Sequence, residues 1–271
     1  MFQVAMTCAI CGSPTRIIFE APVLNKYPAR YCRCSRCGFV NVADPTWLEE
    51  AYRQPINPED TGILARNLEF SKAAAILIAR LFDPRKTFLD YAGGYGIFVR
   101  LMRDYGFDFY WHDPFSQNLL ARGFEYRPGQ GKAELLTAFE CFEHFTDPAA
   151  ELKKMTALSD GLLFSTILLP DPVPRPEDWW YYGRSHGQHL SFYTPASLEL
   201  LAEKSGLIYH QLSENLHLMS RRRLDQRKLQ GLMKPSARDG LFTQALKSVT
   251  SLTRDDYLKI SGERGSLKDG S

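Results

Sequence analysis

Residues 87–96 read Thr87-Phe88-Leu89-Asp90-Tyr91-Ala92-Gly93-Gly94-Tyr95-Gly96. Thr87–Tyr91 is a short run of β-forming residues and predicts a strand. Ile97–Tyr105, behind the glycines, predicts a helix. A glycine-rich turn between strand and helix lets the backbone approach a ligand with no side chain in the way. Asp90 ends the strand, where a phosphate cradle would not want a carboxylate, so the turn suits a cationic or amino-bearing ligand. Phe107–His112 predicts the next strand, and Asp113 ends it 17 residues after Gly96. An acid at that place takes the ribose hydroxyls of an adenosine cofactor. The competing role for Asp113 is a helix N-cap ahead of Pro114.

The pattern continues on both sides. Ile63–Phe82 carries apolar residues at helical spacing and stops at Asp83-Pro84. Ser116–Gly123 predicts a short helix, Glu134–Phe139 a strand, and Pro148 opens another helix. Gly161–Leu169 is apolar throughout and fits a central buried strand. Residues 170–187 are rich in Pro, Trp and Tyr and predict no element. Leu190–Tyr193 predicts a short strand, Pro195–Ser205 an amphipathic helix, and Leu207–Ser220 one or two late strands. Strands alternating with helices imply an α/β fold, a Rossmann-like doubly wound and mostly parallel sheet whose ligands bind at the carboxyl ends of the strands.

Five of the six cysteines fall in the first 37 residues. Cys8-x-x-Cys11 and Cys34-x-x-Cys37 are separated by 22 residues. Each pair can offer two thiolates to one ion, and two such knuckles complete a tetrahedral four-cysteine site. Gly12 and Gly38 follow the second cysteine of each pair, where a glycine permits the tight turn. The expected occupant is a structural Zn2+, because four thiolates leave no open coordination position. Cys32 is a spare thiol in this reading. The alternative is a set of reduced, buried cysteines.

The chain has 271 residues, 44% hydrophobic and 24% charged, which excludes wholesale disorder and collagen-like repeats. No apolar run reaches the roughly 18–20 residues of a membrane span. The start, MFQVAMTCAICGSP, lacks the basic and apolar regions of a secretory signal, so the expectation is a soluble, cytoplasmic protein. The net charge of +2 is unevenly spread: residues 221–271 hold 12 Lys+Arg against 6 Asp+Glu. The body is thus mildly acidic, which argues against a broad nucleic-acid surface. The basic tail opens with Arg221-Arg222-Arg223 and has apolar residues (Leu229, Leu232, Leu241, Leu246, Val249) that could dock as helices on the domain or on a second subunit, giving a homodimer. Its last stretch, 261–271, is expected to be disordered.

Together these residues resemble the class I S-adenosylmethionine-dependent methyltransferases. Their first motif is an acid followed by three glycines at alternate positions, here Asp90, Ala92, Gly94 and Gly96, with Ala92 replacing the first glycine. Asp113 matches the family's ribose-binding acid. Phe139-Glu140-Cys141-Phe142-Glu143-His144, closing on Asp147-Pro148, looks like the motif after the fourth strand. His189-Leu190-Ser191-Phe192-Tyr193-Thr194-Pro195 resembles a subgroup that frequently carries an N-terminal cysteine module.

The resemblance implies cofactor contacts from Asp90, Tyr91, Ala92, Gly93, Gly94, Gly96, Asp113, Pro114, Phe139 and Glu140. It implies chemistry near Glu143 and His144 at the strand exit, and near His189 and Tyr181 in the later loop. For His144 and His189 a purely structural role is the competing reading. The aromatic loop Trp179–Arg184 lies where such enzymes place a substrate lid, and its rings could equally plug a core. The organisation expected is a zinc-binding module (1–44), a linker (45–62), a methyltransferase domain (63–220) and a basic tail (221–271). The expected activity is methylation of a small-molecule or glycan-linked substrate on O, C or N. Two alternatives are an RNA methyltransferase whose zinc module grips nucleic acid, and a non-catalytic interaction protein with a degenerate cofactor site.

Overall fold

The computed structural model of the protein describes residues 7–262. In chain order the strands are β1 (Thr15–Val23), β2 (Tyr27–Cys34), β3 (Val40–Ala43), β4 (Thr87–Tyr91), β5 (Asp108–His112), β6 (Leu135–Ala138), β7 (Gly161–Ser165), β8 (Ser191–Phe192), β9 (Ile208–Gln211) and β10 (Leu216–Ser220). The helices are α1 (Leu48–Ala51), α2 (Ile63–Leu81), α3 (Ile97–Tyr105), α4 (Pro148–Leu158), α5 (Pro195–Lys204), α6 (Gln226–Leu232), α7 (Pro235–Leu246) and α8 (Thr253–Ser261). Two compact units form, each from two separated segments. One runs to Asp60 and resumes over Leu136–Gln230; the other takes Thr61–Leu135 and resumes at Gly231.

In the first unit β6 and β7 run parallel, β10 lies antiparallel to β7, and β9 antiparallel to β10. β7 is buried along its whole length, as its apolar run requires. It ends at Ser165, four residues short of the expected Leu169, because the chain then leaves the sheet: the Leu169 amide donates to the Tyr193 carbonyl at 2.7 Å. A second, antiparallel sheet has the order β1-β2-β3-β8. β8 is a two-residue strand that reaches β3 from far along the sequence. Its Phe192, with Tyr181, Tyr182 and Leu190 from the chain before it, shares one apolar core with Val23, Tyr31 and Val42 of this sheet. Asp147 caps α4 by accepting from the Ala149 and Ala150 amides, ahead of Pro148 at the first helical position. Thr194 and Ser197 form the capping box of α5.

In the second unit β4 and β5 run parallel. β4 and α3 occupy the ranges that the sequence predicts. Phe88 of β4 stacks on Phe109 of β5 with ring centroids 5.1 Å apart, and Phe98 of α3 meets Phe109 edge-on at 5.4 Å. The tail is helical in this unit. Phe242 of α7 packs edge-on against Tyr105 at 5.0 Å. Asp256 of α8 takes a two-pronged ion pair from Arg103, at 2.8 and 2.7 Å, and a third contact from Arg100 at 2.7 Å. Arg103 and Asp256 side chains are each 5% exposed. The expected helix over 116–123 does not form. Asp113 and Asn118 side chains accept the Phe115, Ser116 and Ala121 amides instead, which diverts the backbone from a helical ladder.

The α/β reading stands, with parallel pairs β4–β5 and β6–β7 of the Rossmann-like kind. Among the described residues no helix is long and apolar enough to cross a membrane. The C-terminal stretch expected to be disordered lies, beyond Ser261 and Gly262, outside the described residues.

Candidate functional site

The glycine turn lies in the second unit. Its backbone is left-handed at Ala92 (φ 65°), Gly94 (φ 52°) and Gly96 (φ 83°). Ala92 therefore holds a conformation that glycine adopts freely, at a cost of about 1–2 kcal/mol for an L-residue. Gly93 has a different reason: a Cβ there would lie 2.5 Å from Trp111 Cδ1. The Trp111 indole N–H donates to the Gly94 carbonyl at 2.9 Å, which fixes the turn from below. At Gly96 a Cβ would lie 2.8 Å from Asn118 Oδ1.

Asp113 holds this turn directly. Its Oδ2 accepts the Gly94 amide at 2.9 Å, and its Oδ1 accepts the amides of Phe115 at 2.8 Å and Ser116 at 3.0 Å. Both oxygens are thus engaged with backbone. A carboxylate has about four lone-pair sites, so capacity for about one further donor remains, on Oδ2. Pro114 is exposed, and Asp90 is buried at the end of β4. Tyr91 packs on His112 at 5.1 Å, and burial lowers the His112 pKa.

In the first unit the exit of β6 is also strained. Glu140 has φ 50°. Its amide donates to Ser165 Oγ at 2.7 Å, and Ser165 Oγ–H donates back to Glu140 Oε1 at 2.6 Å. This clasp turns the chain from Phe139 into the single 3-10 turn Phe142–His144. Glu143 is 1% exposed, and neither of its carboxyl oxygens has a hydrogen-bond partner. Burial, reinforced by the Glu140 charge, pushes its pKa up to about 8, weakly opposed by the nearby Tyr181 and Thr166 hydroxyls.

His144 and His189 stand beside it and keep partial exposure. Their rings meet edge-on at 5.1 Å. The donor atoms of Glu143, His144 and His189 all lie within 4.8 Å of one another. His144 Nδ1 pairs with the Tyr52 hydroxyl at 3.0 Å. His189 Nδ1 lies 2.6 Å from the Tyr181 carbonyl. A carbonyl only accepts, so Nδ1 of His189 carries the proton and Nε2 keeps its lone pair. Burial lowers His144 to about 4, with His186 adding to the effect, and holds His189 well below the ordinary imidazole value. His186 packs on His189 at 4.7 Å, and its Nδ1 accepts the Gln188 amide at 3.2 Å. Gly183 (φ 58°) makes this packing possible, because a Cβ there would lie 2.5 Å from His186 Nε2.

The Tyr181 hydroxyl accepts the Ile167 amide at 3.1 Å and lies 3.3 Å from Thr166 Oγ1. Burial holds its pKa well above the usual phenol range. Tyr181 and Tyr182 belong to the core, while Trp180 of the same loop is 76% exposed.

The same unit gathers Cys8, Cys11, Cys34 and Cys37. Sγ–Sγ distances are 3.7 Å for Cys8–Cys37, 3.4 Å for Cys11–Cys34 and 3.7 Å for Cys11–Cys37. A tetrahedral Zn2+ with Zn–S bonds of about 2.3 Å requires sulfurs about 3.8 Å apart, so the four residues fit that ion. The Arg36 and Cys37 amides point at Cys34 Sγ at 3.4 and 3.5 Å, as knuckle amides support a thiolate. The hydrogen bond from Cys37 pulls Cys8 down to about 5 and pushes Cys37 up. Cys32 is buried and stands outside this group. Thr194 donates to the Cys37 carbonyl at 2.6 Å, and Lys204 to the Ile10 carbonyl at 2.5 Å, which ties α5 to both knuckles.

Sequence reasoning missed Tyr52, Ser165 and Gly183. Tyr52 sits in a proline-rich stretch with no periodicity, 92 residues from its partner His144, and nothing local signals the pairing.

The family described as "Methyltransferase domain" matches residues 65–212, more than half of the chain. No curated protein matches. Among solved structures the chain is similar to the plantazolicin methyltransferase in complex with S-adenosylhomocysteine, at 11% identity and TM-score 0.45, covering 77% of this chain and 87% of that one. It is also similar to human N-acetylserotonin methyltransferase, at 16% identity and TM-score 0.43, covering 66% of each chain. A third is magnesium protoporphyrin IX methyltransferase from Synechocystis, at 12% identity and TM-score 0.40, covering 64% of this chain and 91% of that one.

Proposed function

The chain belongs to the methyltransferase-domain family, and from that premise we propose that it transfers a methyl group from S-adenosylmethionine to a small-molecule or glycan-linked acceptor, in the cytoplasm. The observation that carries this reading is the turn at 92–96. Ala92 holds the left-handed backbone that a glycine adopts freely although it is not one, which supports a cofactor turn that accommodates the alanine.

The bound cofactor supplies an electrophilic methyl group on a sulfonium. The small residues Ala92, Gly93, Gly94 and Gly96 would allow its close approach, with Asp90 beside them as counter-charge. Asp113 orders the turn through Gly94 and keeps capacity to accept one ribose hydroxyl. Tyr91 and Pro114, in the same unit as this turn, are assigned to the same cofactor. Methyl transfer is an in-line displacement that depends on proximity and orientation.

On the acceptor side we assign Glu143, His144 and His189. The Nε2 lone pair of His189 and the unpartnered carboxyl of Glu143 are groups able to receive an acceptor's proton. Tyr181 serves as a positioning residue, because its carbonyl sets the His189 tautomer. Cys8, Cys11, Cys34 and Cys37 would hold a structural zinc that locks the two knuckles together.

Calorimetry with S-adenosylhomocysteine tests the reading. Micromolar binding is expected, weakened at least tenfold in Asp113→Ala. Absence of binding at millimolar ligand would sink the assignment. Metal analysis of the same preparation should give one zinc per chain, lost in Cys34→Ser.

A further inference from the structure

We propose that Glu143, His144 and His189 form a second metal site, separate from the four cysteines, that takes a first-row divalent cation such as Mn2+, Fe2+ or Co2+. Three features of the cluster point to an ion. First, a carboxylate and two imidazoles are the donor set that suits these cations and that thiolate-seeking metals do not require. Second, Glu143 is an anion-forming group at 1% exposure whose two oxygens have no hydrogen-bond partner. A buried carboxyl left without a partner is costly, and a cation is the partner that would offset the cost. Third, both imidazoles are held from behind. His189 donates its Nδ1–H to the Tyr181 carbonyl, and His144 Nδ1 is paired with Tyr52. A metal-binding histidine characteristically gives its far nitrogen to a carbonyl or oxygen partner, which aims the near nitrogen at the ion.

The three donor atoms lie within 4.8 Å of one another. Ligands sharing one ion at about 2.1 Å stand about 3.0–3.5 Å apart, so each donor closes by less than about 1 Å. Neighbouring groups divide cleanly between ligands and supports. One oxygen of Glu140 is committed to Ser165. His186 packs on His189 and uses Nδ1 to accept an amide, so it stays outside the donor trio.

Three protein ligands leave open positions on such an ion. An acceptor oxygen is the group they would take, and the ion would hold it deprotonated, with the proton passing to solvent; with the ion bound, Glu143 and His189 act as ligands and not as the proton acceptors assigned to them above. That narrows the acceptor to a hydroxyl, phenol or enol. This last step rests on the methyl-transfer reading above; the metal site itself does not.

The test uses the full chain with its zinc in place and Mn2+ alone as probe, since Mn2+ does not displace zinc from thiolates. Dialysis with metal counting and electron paramagnetic resonance should give one Mn2+ per chain. Glu143→Gln and His189→Asn should each weaken Mn2+ binding at least tenfold, with zinc content and S-adenosylhomocysteine affinity within twofold of wild type. Failure of the wild type to take up Mn2+ overturns the proposal, as does uptake unchanged in both variants. Retained Mn2+ uptake without S-adenosylhomocysteine binding would leave the metal site standing and remove the methyl-transfer reading instead.

Discussion

Ala92 and Glu140 are two of the non-glycine residues that hold a left-handed backbone just past the end of a strand, at φ 65° and 50°. Such residues persist only when their surroundings over-determine them. At Ala92 the hold is visible: Trp111 and Asp113 grip Gly94 from two sides. Ala92→Gly should therefore raise stability by about 1 kcal/mol, since the penalty of a Cβ in the left-handed region disappears. Ala92→Val should lower it by more than that, because a β-branched residue tolerates positive φ least. Urea unfolding of both variants checks the pair, and equal midpoints for alanine and glycine would contradict the strain. The glycine motif was legible here from spacing alone. The reason for Gly93 was not, because Trp111 lies a full strand away and only the fold brings it under the turn.

At the scale of elements, the tail helices show why periodicity weakens beyond Arg221. α8 is held less by an apolar stripe than by one acid. Asp256 meets Arg103, which also reaches the Phe109 carbonyl at 3.0 Å and lies 3.8 Å over the Phe124 ring. An amphipathic pattern gives no hint of such an anchor. Removing one partner of a buried pair leaves an uncompensated charge, typically worth about 3–5 kcal/mol. Asp256→Ala should cost about that much in urea unfolding, and Asp256→Asn somewhat less. A loss under about 1 kcal/mol would mean that α8 contributes little to its unit. The predicted bounds of β4 and α3 held because an apolar strand and a glycine punctuate each other locally. β8 escaped a precise reading because two residues carry no periodicity, and its pairing with β3 is decided by residues some 150 positions away.

For the molecule as a whole, buried histidines link stability to pH. His217 is fully buried on β10. It donates from Nε2 to the Thr166 carbonyl at 3.0 Å, which leaves Nδ1 to accept from the Tyr209 hydroxyl at 3.0 Å. Burial lowers its pKa from 6.5 to about 4, with the Thr166 carbonyl opposing weakly. The folded pKa lies below the unfolded one, so the unfolded chain takes the proton first. The stability due to neutral His217 is complete above about pH 6.5 and is lost as pH falls towards 4, on the order of 3 kcal/mol in all. His217→Gln should flatten the decline of unfolding free energy between pH 6.5 and 4, while an unchanged slope would contradict the assignment. The α/β class, the cysteine quartet and the Glu-His motif could all be read in the sequence. The convergence of Glu143, His144 and His189 could not, since it depends on Gly183 and Tyr181 folding back to fix the later histidine.

The two-residue strand β8 has a consequence for how the chain is made. The cysteine knuckles and β1–β3 leave the ribosome early, but their sheet lacks its fourth strand until Phe192 has emerged. At about 5–20 residues per second, the roughly 150 residues between β3 and β8 take about 8–30 s to synthesise. Throughout that interval β3 presents an open edge of the kind that recruits stray strands. A metal closing Cys8 to Cys37 over a short loop would fix the nascent sheet in register while it waits. The cluster's value to the cell would then lie as much in the interval before β8 is synthesised as in the finished protein.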